Sequence, residues 1–304
     1  MKDNQLFYQY FADWIQLFKV DAISEETLSK YWLTYRHLRQ IAPNLQLADI
    51  SRSEYQKILN KYAKYHERST TLDFHHHLKA ALLDAFDENL ISKDPTRKIV
   101  IKGRLPRAKK AKFLSEFELK ILLEHLNLQA TVNFDWLILL IAKTGLRLSE
   151  ALGLTKADFD FKNHTLTVNK TWNYKQAQGG FRPTKNKSSI RKISLDKKLT
   201  IQFKQLLQPF PADKAFFVEK RVFNSTINNR LKRYCQELDI PVISIHGLRH
   251  THASLLLFAG VSVASVASRL GHSNMTTTQQ TYLHIIQELE TKDTEKIVNH
   301  LANL

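Results

Sequence analysis

The sequence predicts a mainly α-helical protein with a small antiparallel β-sheet, and three observations lead to that prediction. Apolar residues recur at three- and four-residue spacing through residues 1–98, as the buried face of a helix requires. The alternation of apolar and polar residues that is typical of strands falls in residues 165–172 and 190–195, and helical spacing returns at Ser225. The length of 304 residues predicts two domains, and 43% apolar residues suffice to give each domain a core.

The N-terminal part of the chain is interpreted as a small helical bundle. Ser51 and Glu54 predict a capping box at the start of one helix, and the last helix is expected to end near Asp94. The aromatic residues Trp14, Phe18, Trp32 and Trp136 fall on helical stripes and are interpreted as core. The stripes of this bundle predict the buried residues Phe7, Phe11, Trp14, Ile15, Phe18, Tyr55, Ile58, Leu59, Tyr62, Leu78, Leu82, Ala85 and Phe86.

The second domain is predicted to be mainly helical, with an inserted sheet. Ser115 and Glu118 predict a capping box, and the apolar run from Trp136 to Ala142 predicts a buried helix that ends near Gly145. The alternating residues 165–172 and 190–195 predict strands of one small antiparallel sheet, because a polar Gly-Gly loop separates them.

The charge distribution favours a polyanionic partner. The chain has 45 Lys and Arg against 29 Asp and Glu, a net charge of +16. Residues 1–98 contain 14 basic and 13 acidic residues, whereas residues 99–304 contain 31 and 16. Because each Lys or Arg that neutralises a phosphate releases counterions, this asymmetry favours nucleic acid over a merely soluble basic surface.

Composition also narrows the expected cellular setting. The single cysteine, Cys235, cannot form an internal disulfide and falls short of the four ligands of a structural zinc site, which favours a reducing compartment. The sequence shows neither a signal-peptide pattern nor an apolar run of about 18 residues, so a membrane span is not expected. The cytoplasm is the expected location.

The most basic segment, residues 102–112, is interpreted as an interdomain linker. Gly103 and Pro106 argue against a continuous helix there, and like charges extend the chain. We expect a flexible strap that contacts nucleic acid, with a solvated tether that makes no contacts as the alternative. The candidate DNA-binding residues of this segment are Lys102, Arg104, Arg107, Lys109, Lys110 and Lys112.

Four segments contain polar groups that a packed core does not require. The first is TGLRLSE at residues 144–150, which directly follows the predicted buried helix. The second is HGLRHT at residues 246–251, whose first histidine and arginine share one face of a helix. The third is LGHS at residues 270–273, and the fourth is Tyr282, about one helix length further on.

These segments together resemble the tyrosine recombinase, or phage integrase, family, in which the same motifs occur in the same order. The resemblance covers the whole chain. It implies a SAM-like helical core-binding domain at residues 1–101, a linker at 102–112, and a mixed α/β catalytic domain at 113–304 with a C-terminal tail from about 283. It also implies a set of catalytic residues with two supporting residues, Glu150 and His250. The implied catalytic residues are Arg147, His246, Arg249, His272 and the nucleophile Tyr282.

The residue types at these positions suit phosphoryl transfer. The guanidinium groups of Arg147 and Arg249 can stabilise negative charge on a phosphate bidentately without depending on a protonation state. The phenol of Tyr282 has an ordinary pKa near 10, so it needs nearby cations or a proton acceptor. We expect His246 or His272 to accept that proton.

A lysine is the expected general acid for the leaving oxygen. Residues 183–191 are similar to the sheet lysine region of the family, and Lys185 is our first choice for the acid. Lys187 is the alternative, since it lies two residues further on and is expected to share the same face of a strand.

The resemblance implies a site-specific DNA recombinase that works through a 3′-phosphotyrosyl intermediate and integrates and excises a mobile element, such as a phage, conjugative transposon or genomic island. It implies double-stranded DNA as substrate and a homotetramer that exchanges strands through a Holliday junction, with no cofactor. The setting would be the nucleoid in the bacterial cytoplasm. An excisionase or a host DNA-bending protein would be a further partner. A Xer-like chromosome-dimer resolvase and a non-catalytic DNA-binding relative remain as alternatives.

No metal site is expected from the histidines. His246 and His250 have the spacing of zinc ligands, but no Glu lies between them, and Arg249 would disfavour a cation. Residues 75–77 are consecutive histidines that point to different helix faces, so we expect a solvated or DNA-facing surface there.

The resemblance also implies features for the two ends of the chain. Many mobile-element integrases have an arm-binding domain ahead of the first helix, and nothing here matches it, so either the protein lacks one or the chain is a fragment. The tail would dock on a neighbouring subunit through Leu289, Ile297, Val298 and Leu301.

Replacing Lys185 or Lys187 with Met in turn distinguishes the two candidate acids. The variant that lacks the acid should cleave an ordinary DNA substrate slowly and recover on a substrate whose leaving group needs no proton. Measured cleavage rates on both substrates should show this rescue for Lys185→Met alone, and rescue of Lys187→Met would reverse the assignment.

Overall fold

The computed structural model of the chain describes residues 5–105, 111–176, 178–219 and 221–282. The chain divides into two units, Met1–Lys109 and Lys110–Leu304. The described parts of both units are mainly helical and the second contains short antiparallel strands, which confirms the predicted fold class. Several predicted residues lie outside the described ones: Arg107, Lys109, Lys110 and the tail residues Leu289, Ile297, Val298 and Leu301.

The described part of the first unit consists of four helices, α1 (Phe7–Phe18), α2 (Glu25–Ile41), α3 (Arg52–Ala63) and α4 (Arg68–Asp87). Most of the predicted stripe residues are buried, but Phe18 is 43% exposed and Phe86 is 39% exposed, so the core assignment is wrong for these two. The last helix also ends earlier than predicted. Asn89 adopts a φ of 59°, and the N–H of Leu90 donates to the carbonyl of Ala85 at 2.8 Å, which closes the helix end.

The predicted capping box of α3 forms only in part. The Ser51 hydroxyl accepts from the N–H of Glu54 at 3.2 Å, but the Glu54 carboxylate pairs with Lys57 at 2.6 Å. The histidines of α4 also differ from expectation. His75 is buried and lies 2.8 Å from the Tyr55 hydroxyl, and His77 lies 2.8 Å from the hydroxyl of Thr34. These two histidines therefore tie helices together inside the unit instead of forming a surface.

The start of the basic segment is attached to the first unit. The N–H of Arg104 donates to the carbonyl of His66 at 2.8 Å, and its side-chain Nε donates to the carbonyl of Lys64 at 2.6 Å. Its guanidinium group also lies over the ring of Tyr65. The expectation of a flexible strap is therefore wrong for Arg104, because the corner between α3 and α4 holds it. Lys102 is exposed.

The described part of the second unit contains eight helices and five short strands. The helices are α5 (Glu116–His125), α6 (Phe134–Thr144), α7 (Leu148–Leu152), α8 (Lys197–Leu206), α9 (Asn224–Glu237), α10 (Ile245–Phe258), α11 (Val263–Leu270) and α12 (Met275–Thr281). The strands are β1 (Phe159–Asp160), β2 (Thr165–Val168), β3 (Lys170–Trp172), β4 (Phe181–Pro183) and β5 (Arg191–Ser194). Within the described residues, no helix is both long and apolar enough to cross a bilayer.

The strands form two small sheets, whereas the sequence predicted one. The predicted strand 165–172 is broken at Asn169, and its halves pair differently. In the first sheet β2 lies between β1 and β5, with Leu166 opposite Ile193, and in the second β3 pairs with β4. All of these pairings are antiparallel, as predicted.

Helix α6 is the centre of the second unit and confirms the predicted buried helix. Its side chains are buried on nearly every face, and it packs against α10. Its one buried acid, Asp135, accepts from the Tyr234 hydroxyl at 2.9 Å and pairs with Arg230 at 3.2 Å, so its charge is compensated. The helix ends at Gly145, which has a φ of 70°. The predicted capping box of Ser115 and Glu118 is also confirmed.

Substituting Gly145 with Ala should destabilise the second unit more than the same change at Gly260. Both glycines have a positive φ, but a Cβ at Gly145 would lie 2.7 Å from Cδ2 of His252, whereas a Cβ at Gly260 would meet nothing within 4 Å. Gly260→Ala should cost about 1 kcal/mol for its backbone conformation, and Gly145→Ala about 2 kcal/mol more for overpacking. Urea unfolding measures both, and equal losses would contradict the packing at Gly145.

Candidate active site

The turn between α6 and α7 places Arg147 beside a buried carboxylate. Glu150 is 1% exposed, and it accepts from the backbone N–H of Arg147 at 3.0 Å and from its guanidinium Nη1 at 2.6 Å. Nη2 of Arg147 donates to the carbonyl of Gly271, just after α11, at 3.1 Å. Two separate elements therefore fix the orientation of this guanidinium group.

A second arginine, to which the sequence analysis gave no role, completes this group. Arg191 at the start of β5 is almost fully buried, and its Nη2 lies 2.9 Å from the other carboxylate oxygen of Glu150. Its Nε donates to the carbonyl of Arg269 at 2.6 Å. Arg191 is two residues before the buried Ile193, so the two side chains lie on the same, inward-facing side of the strand. A charged residue at such a position is the sequence signal that could have identified Arg191.

The carboxylate of Glu150 is charged at neutral pH. Burial alone would raise its pKa, but the hydrogen bond and charge of Arg191, together with the charge of Arg147, hold the pKa below its ordinary value. The cluster of Arg147, Glu150 and Arg191 thus carries two positive charges and one negative charge.

Arg249 on α10 is held by carbonyl groups instead of a carboxylate. It is 3% exposed, and it donates to the carbonyl of Gly145 at 2.7 Å and to that of Leu270 at 2.8 Å. Both carbonyls lie at helix C-termini, where the helix dipole favours a cation. Burial, followed by the charge of Arg147, lowers the pKa of Arg249 to about 9, so the guanidinium group is still protonated at pH 7.

Three histidines face this group of cations. The rings of His246 and His250 are one turn apart on α10, with centroids 4.9 Å apart and perpendicular planes. Nδ1 of His272 lies 2.6 Å from the hydroxyl of Thr278 on α12. Burial lowers the pKa of His250 and of His272 to about 4, and the neighbouring positive charges add to that shift, so both rings are neutral at pH 7.

His246 is exposed, yet the protein around its ring and the charges of Arg249 and Arg147 lower its pKa as well. It borders an open cavity of about 650 Å³, which His250 and Lys112 also line. Lys112, a candidate DNA-binding residue, is exposed and contributes to the lowered pKa of His250. The candidate linker therefore ends beside the histidine cluster.

Tyr282 directly follows α12, and its side chain is only 2% exposed. It packs against Ala253, Leu257, Val266 and Leu270 from α10 and α11. Its hydroxyl lies 2.9 Å from Nδ1 of His250, and burial raises its pKa to about 12. His246 or His272 was expected to accept the proton of Tyr282, but the histidine within hydrogen-bonding distance of its hydroxyl is His250.

The candidate lysines lie in the turn that connects β4 to β5. Lys185 and Lys187 are both exposed, and Lys187 begins a short 3₁₀ turn, so the expectation that they share a strand face is wrong. Within the described part of the chain, no hydrogen bond or ion pair joins either lysine to the arginine and histidine cluster. The turn itself packs beside the cluster, because a Cβ added to Gly271 would lie 3.1 Å from the carbonyl oxygen of Ser188.

The structure thus brings together seven of the eight residues that the sequence analysis placed at the catalytic site or in support of it. The missing one is Lys185. Among the described residues, three His, Cys, Asp or Glu side chains nowhere gather as metal ligands would. Two fixed guanidinium groups and neutral imidazoles around a buried phenol are suited to bind a phosphate and to place a nucleophile against it.

This mainly helical fold is that of the tyrosine recombinases. The chain belongs to the phage integrase family, whose family model matches residues 112–288.

Individual relatives cover different shares of the chain. An integrase of Staphylococcus phage L54a is 32% identical over 173 residues, which are 51% of this chain and 49% of that protein. A XerC-like tyrosine recombinase of Caldanaerobacter subterraneus subsp. tengcongensis is 28% identical over 319 aligned residues, 92% of this chain and 80% of that protein. The match thus spans about half the length of the phage integrase.

A solved structure shares the fold over nearly the whole chain. The Tn1549 transposon integrase, in complex with transposon right end DNA, matches with a TM-score of 0.79 and 20% identity, and the match covers 97% of this chain and 100% of that chain.

Replacing Arg191 with Met should destabilise the second unit by about 3 kcal/mol at pH 7, because it removes one partner of a buried ion pair. The matched control is Arg233→Met, whose ion pair with Glu237 is 61% and 46% exposed and should be worth less than about 1 kcal/mol. Urea unfolding measures both.

The effect of Arg191→Met should also depend on pH. The lowered pKa of Glu150 means that its pairing stabilises the fold above the ordinary pKa of 4.5 and that this contribution is lost as the pH falls through the lowered value. The difference between wild type and Arg191→Met should therefore shrink as the pH falls below 4.5. A difference that stays constant with pH would contradict the role of the Glu150 charge.

Proposed function

We propose that the protein is a site-specific DNA recombinase of the integrase type, which cleaves and rejoins double-stranded DNA through a 3′-phosphotyrosyl intermediate. The observation that carries the proposal is the buried Tyr282 phenol, which lies 2.9 Å from His250 and packs against Leu270, whose carbonyl accepts from Arg249. Two relatives support it, since one is named a phage integrase and another was solved in complex with transposon DNA.

In this proposal the arginines bind the scissile phosphate. Arg147 and Arg249 donate to the non-bridging oxygens, where negative charge increases in the transition state. Each guanidinium group is already oriented by the backbone carbonyls that it binds, so little reorganisation is needed when the phosphate arrives. His246 and His272, which face the same group of cations, donate further hydrogen bonds to the phosphate.

The proposed reaction proceeds in two transfers. The Oη of Tyr282 gives its proton to a neighbouring histidine as it attacks phosphorus, the bond from phosphorus to the 5′-oxygen breaks, and Lys185 gives that oxygen a proton. The turn that carries Lys185 packs beside the cluster at Ser188, and a movement of this turn would bring the amine to the phosphate. Because the phosphotyrosyl bond keeps the energy of the phosphodiester, an incoming 5′-hydroxyl can reseal the strand.

We assign DNA binding to both parts of the chain. Residues 1–101 would form the core-binding domain, residues 102–112 the linker that contacts phosphates, and residues 113–304 the catalytic domain. Nearly all of the excess positive charge lies after residue 98, which supports a polyanionic substrate. A homotetramer on two DNA sites, acting on the nucleoid of a bacterial cytoplasm, would carry out strand exchange. An excisionase or a host DNA-bending protein would set its direction.

A chromosome-dimer resolvase is the second candidate. It would use the same chemistry on a chromosomal site, and the XerC-like relative, which matches 92% of this chain, favours it. An integrase would join two different DNA sites, whereas a resolvase would act on two copies of one site.

Substituting Tyr282 with Phe should abolish the covalent protein–DNA adduct and leave DNA affinity within about twofold, because only the attacking oxygen is removed. A library of nicked duplexes, on which the released end diffuses away and traps the adduct, provides the measurement. The matched control is Tyr234→Phe, another buried tyrosine, which bonds to Asp135 and should still form the adduct. Wild-type protein that binds DNA without forming any adduct would indicate a non-catalytic relative.

A further inference from the structure

We infer that His250 is a catalytic residue that accepts the phenolic proton of Tyr282 as this tyrosine attacks the DNA. The inference rests on the proposed recombinase function and goes beyond it, since the sequence analysis gave His250 only a supporting role. It is carried by a contact to the reacting atom itself, the 2.9 Å separation between Nδ1 of His250 and Oη of Tyr282.

The direction of this hydrogen bond follows from the surroundings of the phenol. Tyr282 is 2% exposed and packs among Ala253, Leu257 and Val266, which offer its O–H no side-chain acceptor. If Nδ1 of His250 carried a hydrogen and donated it, the phenolic proton would be left in this apolar pocket at a cost of roughly 1–3 kcal/mol. The favoured arrangement therefore has the phenol donating to Nδ1, with the ring hydrogen of His250 on Nε2.

The other two histidines are less suited to this step. His272 already uses its Nδ1 in a 2.6 Å hydrogen bond with Thr278, and no hydrogen bond joins His246 to Tyr282 among the described residues. His246 lies one helical turn before His250, and it is the exposed member of the pair. His246 and His272 are therefore available to donate hydrogen bonds to the phosphate, and His250 is available to accept the proton of the Tyr282 phenol.

The electrostatic setting keeps His250 in the form that can accept a proton. The titratable groups around it come from several elements: His246 and Arg249 on α10, Lys112 ahead of α5, His272 after α11 and Tyr282 after α12, while Lys232 on α9 lines the same cavity. Burial, followed by the charges of His246, Arg249 and Lys112, lowers the pKa of His250 to about 4 and so keeps its ring neutral at pH 7. A bound phosphodiester adds negative charge to the same site, which raises the basicity of His250 when a base is needed.

The step is balanced as a single proton transfer. The Oη–H bond breaks and the proton passes to Nδ1 while Oη forms a bond to phosphorus and the bond to the 5′-oxygen breaks. The phenol becomes more acidic as the new bond forms, so the transfer takes place in the transition state and not before it. When a 5′-hydroxyl reseals the strand, the His250 imidazolium returns its proton to Tyr282.

His250→Asn tests the inference, because the Asn side-chain oxygen can take the place of Nδ1 and accept the hydrogen bond but is not basic. The substrate is a nicked duplex with sulfur in place of the 5′-bridging oxygen, so that the leaving group needs no acid. Single-turnover adduct formation is measured from pH 4.5 to 8.5. His125→Asn, which alters a histidine paired with Glu237 at the surface, is the matched control.

Wild type and His125→Asn should lose activity as the pH falls, because the base must be unprotonated. His250→Asn should bind DNA normally, form the adduct roughly 100-fold more slowly, and lack this acid limb. His250→Gly with added imidazole provides a second test, since a free base placed in the vacated space should restore part of the rate.

A normal rate for His250→Asn, an acid limb that persists in it, or a failure of imidazole to restore His250→Gly would each overturn the role of His250. In all three cases the wild type remains active, so the proposed function stands. A wild-type protein that forms no adduct on any duplex would instead overturn the proposed function.

Discussion

The buried carboxylate of Glu150 is the interaction on which the rest of the site depends. Two guanidinium groups cannot lie close together in a low-dielectric interior unless an anion compensates them, and Glu150 pairs with Arg147 and Arg191 at once. Arg249 has no carboxylate in its described contacts and is held by two helix-end carbonyls. The cluster is therefore rigid and retains positive charge, which leaves it ready for an anionic ligand that supplies the missing negative charge.

That retained charge also sets the protonation of the groups around it. The cations and burial keep His250 and His272 neutral, while burial keeps the phenol of Tyr282 protonated. Tyr282, the proposed nucleophile, is therefore protonated and unreactive before a phosphate binds. A phosphate would reverse the balance, because it offsets the cations that depress the basicity of the imidazoles. The same arrangement that binds the substrate would thus also activate the nucleophile.

Much of the fold and most of the site could be predicted, because the relevant signals are local. The stripe of α1, the buried run of α6 and the ordered motifs around Arg147, Arg249 and Tyr282 are each readable within a few residues. What could not be predicted depends on pairing across the chain. Arg191 pairs with Glu150, which lies 41 residues earlier in the sequence. The contact between His250 and Tyr282 depends on how α12 packs against α10. The break at Asn169 was missed because alternation continues through it, while the two halves find different partners.

Gly271 lies where two loops meet, one of which carries Lys185 and the other His272. It adopts a φ of 67°, and its carbonyl accepts from Arg147. A Cβ added to Gly271 would lie 3.1 Å from the carbonyl oxygen of Ser188 and 2.9 Å from Nη1 of Arg191. Neither loop can be lengthened or reshaped by itself without displacing the other. The turn that bears Lys185 and the loop that bears His272 should therefore change together as related proteins diverge. Transferring only one of them to a relative should misplace both.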